Sequence, residues 1–263
     1  LRLDLSLLTV NTVVAFLLVL SRIGGMMVSA PLFNMHNIPA QAKIGMAIAF
    51  ACILFPLHAA NLVVPKDVIQ FSLLAIQETI IGILIGFTAN LVFIALQMAG
   101  EYVSMQMGLS VASILDPVTQ TQSPVVGQFF FYFAALLFLT LNIHHGLIAS
   151  VDRSFNWIPL GHFIGEGSLT GGVMAERFIK LTGDLFVMSL MIGVPLMGIL
   201  LATEIALSFV AKVMPQMNIF MVGMPLKVML GLLAILMGLP YLGSMLGDQY
   251  AYLVKVLLGL YKT

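Results

Sequence analysis

Two carboxylates stand inside long apolar runs of this sequence, Glu78 within residues 68–100 and Glu204 within residues 185–211. An acid at membrane depth is costly, so it either carries protons along a transport path or is bonded to a neighbouring helix or subunit. Both chemistries are open to Glu78 and Glu204. His144 and His145 are adjacent, so a helix sends them in different directions, and they lack the spacing and the third ligand of a metal site. Structural roles are expected for them, and no metal is implied. The sequence has no phosphate-binding glycine loop, no nucleophile paired with a base and no paired carboxylates on one helical face. It therefore offers no catalytic residue, calls for no cofactor and is read as a non-enzyme.

Helices in lipid must position these groups. Hydrophobic residues make up 60% of the 263 and charged residues 8%, with a mean hydropathy of +1.09. Soluble domains carry about 25% charged residues; a chain this long with so few could not cover its surface with them, which makes it an integral membrane protein. The zero net charge gives nucleic acid no footing. Apolar stretches run over 5–20, 44–64, 68–100, 125–149, 185–211 and 228–247. A helical crossing takes about 20 residues, so the first stretch is short and 68–100 is too long for one simple span. The alternation of a membrane barrel is absent. The fold class is an all-α membrane protein, read as one helical membrane domain over 1–263.

Local signals refine this reading. Arg2, the apolar run 13–20 and "VSA" at 28–30 imitate a secretory signal, but Arg22 and Gly24-Gly25 intervene, so the segment is expected to stay as a helix. Gly24-Gly25, Pro31 and Pro39 predict irregular backbone over 21–43. Pro56 and Pro195 mark candidate kinks. Glu176, Lys180 and Asp184 follow one another at i,i+4, the spacing of a solvent-facing helix. Asn218, Gly223, Pro225 and Lys227 predict a helix break and restart, with Lys227 on the new turn.

One polar stretch fits none of these runs. Residues 106–128, "QMGLSVASILDPVTQTQSPVVGQ", have the small residues of a loop, yet Asp116 is the one charged residue between Glu101 and Asp152. Pro117 and Pro124 push Asp116 and Ser123 out of helical backbone. Freed amides cost several kcal/mol each in hydrocarbon, so irregular backbone survives there only inside protein or along a cavity. The physical reading is a re-entrant or plug-like loop; the plainer one is a short extramembrane loop that happens to lack charge.

Three stretches resemble one family. "QMGLSVASILDPVTQTQSPVVGQF" (106–129), "PQMNIFMVGMPLKVMLGL" (215–232) and "PLFNMHNIPAQAKIGMAIAF" (31–50) are similar, in order, to the FliR/SctT-like membrane subunits of type III protein export gates. The "QMGLS" and "GQF" elements favour the flagellar branch, with the injectisome counterpart as the alternative.

The resemblance implies a channel-forming subunit of the flagellar export gate in the bacterial inner membrane, at the flagellar basal body. Its long helical hairpins would pack with FliP-like and FliQ-like subunits into a helical hetero-oligomer, with an FlhB-like subunit at the cytoplasmic mouth. Unfolded flagellar subunits would pass through it, and membrane lipid would surround it. The stretch 106–127 would plug the closed pore. Met105, Met107, Leu109, Val111, Ile114 and Leu115 would supply apolar bulk against ions, and Gly108, Ser110, Ala112 and Ser113 the flexibility to move aside. Asp116 and Pro117 would fix a turn, and Gln122, Ser123, Pro124 and Gly127 complete the stretch. Glu78, Asn90, Glu204, Asn218 and Lys227 would be polar contacts between subunits. The competing hypothesis is a proton-coupled secondary transporter using Glu78 or Glu204, which would require an internal repeat with broken helices. Only a weak echo of one exists, "NIPAQAKIG" (37–45) against "GMPLKVMLG" (223–231).

Overall fold

In hydrocarbon every backbone amide must be satisfied within the chain, which leaves a sequence this apolar with helices. The computed structural model describes residues 10–33, 38–58, 65, 67–109, 125–162, 171–216 and 218–259. It has seven helices and no strand among them: α1 Val10–Ser29, α2 Ala40–His58, α3 Val68–Met107, α4 Val125–Thr140, α5 Ile143–Trp157, α6 Gly171–Val213 and α7 Ile219–Gly259. Five stretches are long and apolar enough to cross a membrane, namely Asn11–Ser29, Ala40–His58, Val68–Met107, Ile179–Val213 and Met221–Tyr252. Taken together, α4 and α5 make a sixth. The chain divides into two compact units, Leu1–Asn90 with Asn142–Leu181 and Ala251–Thr263, and Leu91–Leu141 with Thr182–Tyr250.

Several breaks expected from the sequence are absent. α1 runs straight through Gly24-Gly25 to Ser29; Gly25 serves packing rather than turning, and Gly24 faces open space. A methyl group on Gly25 would strike the Thr79 carbonyl of α3, one on Gly82 the Arg22 carbonyl of α1, and one on Gly86 the Ser29 hydroxyl. Gly82 and Gly86, four apart, thus let α3 meet the α1 backbone, the small-residue contact by which apolar helices associate without a hydrophobic driving force. Likewise α3 continues unbroken through Glu78, Asn90 and Gln97; its 40 residues give an axis of about 60 Å at 1.5 Å per residue. Pro56, Pro195, Pro225 and Pro240 all lie inside helices.

One further break is not foreseen in the sequence, and another is shifted. Asn142, in left-handed backbone at φ 56°, divides the apolar run 125–149 into α4 and α5. The break expected across 218–227 falls earlier, with 214–216 and 218 outside the helices. There the Asn218 side-chain oxygen accepts from the Met221 amide at 3.4 Å and starts α7, whose helix then includes Gly223, Pro225 and Lys227. Glu176, Lys180 and Asp184 are exposed on α6, as their spacing predicts.

In the second unit, Gly100 of α3 meets Gly127 of α4 so closely that a Cβ on Gly100 would lie 2.6 Å from the Gly127 Cα. Phe93 meets Phe131 and Phe138 at ring separations of 5.5 Å. As the α3 number falls the α4 number rises, so the two helices are antiparallel. Tyr250 of α7 completes the cluster, 5.7 Å from the Phe138 ring, and its hydroxyl donates to the Ala134 carbonyl at 3.1 Å.

Candidate functional site

The last turn of α3 lies at the start of the polar, almost uncharged stretch 106–128. Its end is closed by two bonds: Gly108 donates to the Met105 carbonyl at 3.0 Å and Leu109 to the Ser104 carbonyl at 3.1 Å. With Gly108 at φ 82°, this is a Schellman cap, which satisfies carbonyls that a helix end otherwise leaves open. Gly108 therefore has a fixed conformational task that side chains rarely fulfil, a more specific role than the flexibility expected of it.

Around this cap lies a cavity of about 540 Å³, lined by residues 105–108 of α3 and the turn after it, by Glu204, Leu207, Ser208 and Ala211 of α6, and by Gly223, Met224 and Lys227 of α7. Its polar wall is one connected group. The Gln106 amide donates to Glu204 Oε2 at 3.2 Å, and Lys227 Nζ lies 3.2 Å from Glu204 Oε1. Met107 is fully buried, and the missing side chain of Gly231 makes room for it: a Cβ there would lie 2.7 Å from Met107 Cγ. Met105 is 63% exposed. At the return side Gly127 is buried in the first turn of α4, against Gly100. Ser110, Val111, Ala112, Ser113, Ile114, Leu115, Asp116, Pro117, Gln122, Ser123 and Pro124 lie outside the described residues.

A second polar cluster forms within the first unit. Arg22 and Glu78, on α1 and α3, are both fully buried and paired through Arg22 Nε. The remaining guanidinium nitrogens donate to Ser154 Oγ at 2.9 Å and to the Ile158 carbonyl at 3.0 Å. The guanidinium also lies 4.1 Å from the centre of the Phe155 ring, a favourable cation–π placement. That ring stacks on His58 at 4.7 Å, and His58 Nε2 is 2.8 Å from Asp152 Oδ1. Beside Glu78, the Gln77 amide donates to the His162 carbonyl at 2.8 Å. α1, α2, α3 and α5 are thus joined through side chains of opposite charge and a shared aromatic ring.

The polar residues expected to face other subunits are divided by this geometry. Glu78, with no exposed surface, has its ionic partner inside the chain, and Glu204 and Lys227 pair with each other. Asn90 is half-buried in α3 and Asn218 is exposed at the start of α7. The imidazoles of His144 and His145 do not diverge: their centres are 4.2 Å apart. No group of three or more His, Cys, Asp or Glu among the described residues could hold a metal ion. Sequence reasoning passed over Arg22, His58, Asp152 and Gln106. The signal for the first was legible, since Arg22 and Glu78 are opposite charges in two separate apolar helices.

Comparison with known proteins adds a source of meaning that geometry lacks. A family model described as "Bacterial export proteins, family 1" matches residues 13–252. The chain is 35% identical over 215 residues to "Flagellar biosynthetic protein FliR" of Bacillus subtilis (strain 168), covering 81% of this chain and 82% of that protein. It is 32% identical over 246 residues to the protein of the same name in Escherichia coli (strain K12), covering 90% of each. The Caulobacter vibrioides (strain ATCC 19089 / CIP 103742 / CB 15) protein of that name is 28% identical over 241 residues, covering 91% of this chain and 94% of that one.

Proposed function

The chain belongs to the bacterial export proteins, family 1, and from that premise we propose that it is a channel-forming subunit of a flagellar protein export gate. In this reading it assembles with FliP-like, FliQ-like and FlhB-like subunits in the inner membrane at the flagellar basal body. Unfolded flagellar subunits pass through the assembly, and residues 106–127 plug the closed pore.

The observation that carries the plug reading is the frame at its two ends. α3 ends in a capped turn at Gly108–Leu109, and α4 begins at Val125 on the antiparallel helix that touches α3 at Gly100–Gly127. A long, almost uncharged segment thus departs from and returns to one helical hairpin, as a plug must if it is to move without unfolding its frame. Hydrophobic constriction stops ions by excluding water, so a seal needs no charge.

The test is small-ion leak across the membrane of cells carrying the assembled gate, with Leu109–Gln122 kept or replaced by a Gly/Ser linker. A leak confined to the replacement, with assembly intact, is the expected result. Intact assembly without a leak would mean that the seal lies elsewhere.

A further inference from the structure

We propose that Glu204 and Lys227 are positioning residues for the pore seal: through Gln106 they clamp the last turn of α3 onto α6 and α7 and so fix the direction in which the chain leaves α3. The inference rests on the reading of 106–127 as a plug. Three observations carry it. First, the carboxylate is shared, one oxygen accepting from Gln106 and the other facing Lys227, each at 3.2 Å. One side chain of α6 therefore joins the other two helices. Second, Lys227 and Gly231 stand four residues apart on α7 and share a face. Lys227 holds Gln106 through Glu204, while Gly231 admits the buried Met107. Two consecutive residues of α3 are thus held, Gln106 by a hydrogen bond to the α6 carboxylate that Lys227 of α7 pairs with, and Met107 by fit against Gly231 of α7. Third, Glu204–Lys227 is the one ion pair among the described residues of the second unit, and it stands where the regular helix ends.

The two halves of the grip differ in strength. Met107 is enclosed, whereas the Glu204 side chain is 52% exposed. Exposed pairs are weak because water and salt screen them. An exposed pair of this kind can hold the turn and still release at small cost.

The experiment reverses the charges in the full gate complex. Glu204→Lys and Lys227→Glu each place like charges together, and the double swap restores opposite ones. Gln106 keeps a partner in the swap because its amide offers an oxygen as well as an NH2 group. Two readouts are taken: amide hydrogen exchange of residues 104–109 in the purified complex, and ion leak in cells beside the Gly/Ser replacement of 109–122. Each single variant should speed exchange in that turn about three- to fivefold, the scale of an exposed pair, and should leak; the swap should reverse both. If either single variant prevents assembly, recovery of assembly and seal in the swap supports the clamp, and failure to recover overturns it. A leak from the linker replacement with none from the single variants overturns the clamp and leaves the plug reading standing. No leak even from the linker replacement removes the plug reading itself.

Discussion

Removing one partner of the Arg22–Glu78 pair should destabilise the first unit far more than removing both. Each side chain has no exposed surface, so the survivor of a single substitution is a charge without a counter-charge and without water, a situation that costs about 3–5 kcal/mol. Glu78→Met leaves the guanidinium with Ser154 Oγ, the Ile158 carbonyl and the Phe155 ring, so its cost should be about 3 kcal/mol. Arg22→Met is worse. Glu78 Oε1 already has no hydrogen-bond partner among the described residues, and Oε2 would lose its own. The Ile158 carbonyl is stranded as well, and the cost should approach about 5 kcal/mol. In Arg22→Met with Glu78→Met both charges are gone, and what remains is chiefly the unpaired carbonyl, about 1–3 kcal/mol. The interaction energy of the cycle should therefore be roughly 5 kcal/mol or more. It can be measured by equilibrium unfolding in detergent, using the single tryptophan, Trp157 at the end of α5, as the fluorescent probe. Additive single effects, or a coupling below about 1 kcal/mol, would refute the claim that this pair ties α1 to α3.

Three further outcomes follow from particular contacts. Gly24→Ala should be neutral or slightly stabilising, since nothing lies within 4 Å of the added methyl and an internal helical glycine costs about 0.5–1 kcal/mol; Gly25→Ala, directed at the Thr79 carbonyl, should lower the melting temperature of the purified protein. Gly108→Ala should cost about 1–2 kcal/mol, because φ 82° is left-handed backbone, and Gly108→Asn should cost less; thermal unfolding of the two variants in detergent separates them. Tyr250→Phe removes the hydroxyl bond to the Ala134 carbonyl and leaves the ring cluster intact, so a loss of about 1 kcal/mol in equilibrium unfolding is expected.

Much of the molecule was legible because it depends on local composition. A chain that is 60% hydrophobic and 8% charged has only helices open to it once alternation is absent, and the apolar runs place most of them. The three long stretches carry the family resemblance, and the family model matches residues 13–252. The exposed face with Glu176, Lys180 and Asp184 follows from their spacing alone. The helix ends were less accessible. Gly24-Gly25 carries the same letters whether it turns the chain or lets a neighbour approach, and only the α3 backbone beside it decides between them.

The candidate site shows the same division. Sequence by itself determined that residues 106–128 are polar yet carry a single charge, Asp116, and that Glu78 and Glu204 stand in apolar surroundings that an acid does not enter unaided. Which partner satisfies each acid was a matter for tertiary structure. Glu78 finds Arg22 across 56 positions and Glu204 finds Gln106 across 98; nothing in the local sequence encodes those distances. Periodicity reports which way a side chain faces on its own helix, whereas an ion pair depends on where a second helix comes to rest. Here that was set by glycines, Gly25, Gly82 and Gly86 for α1 against α3, and Gly231 for the fit of Met107, residues whose contribution is the side chain they lack.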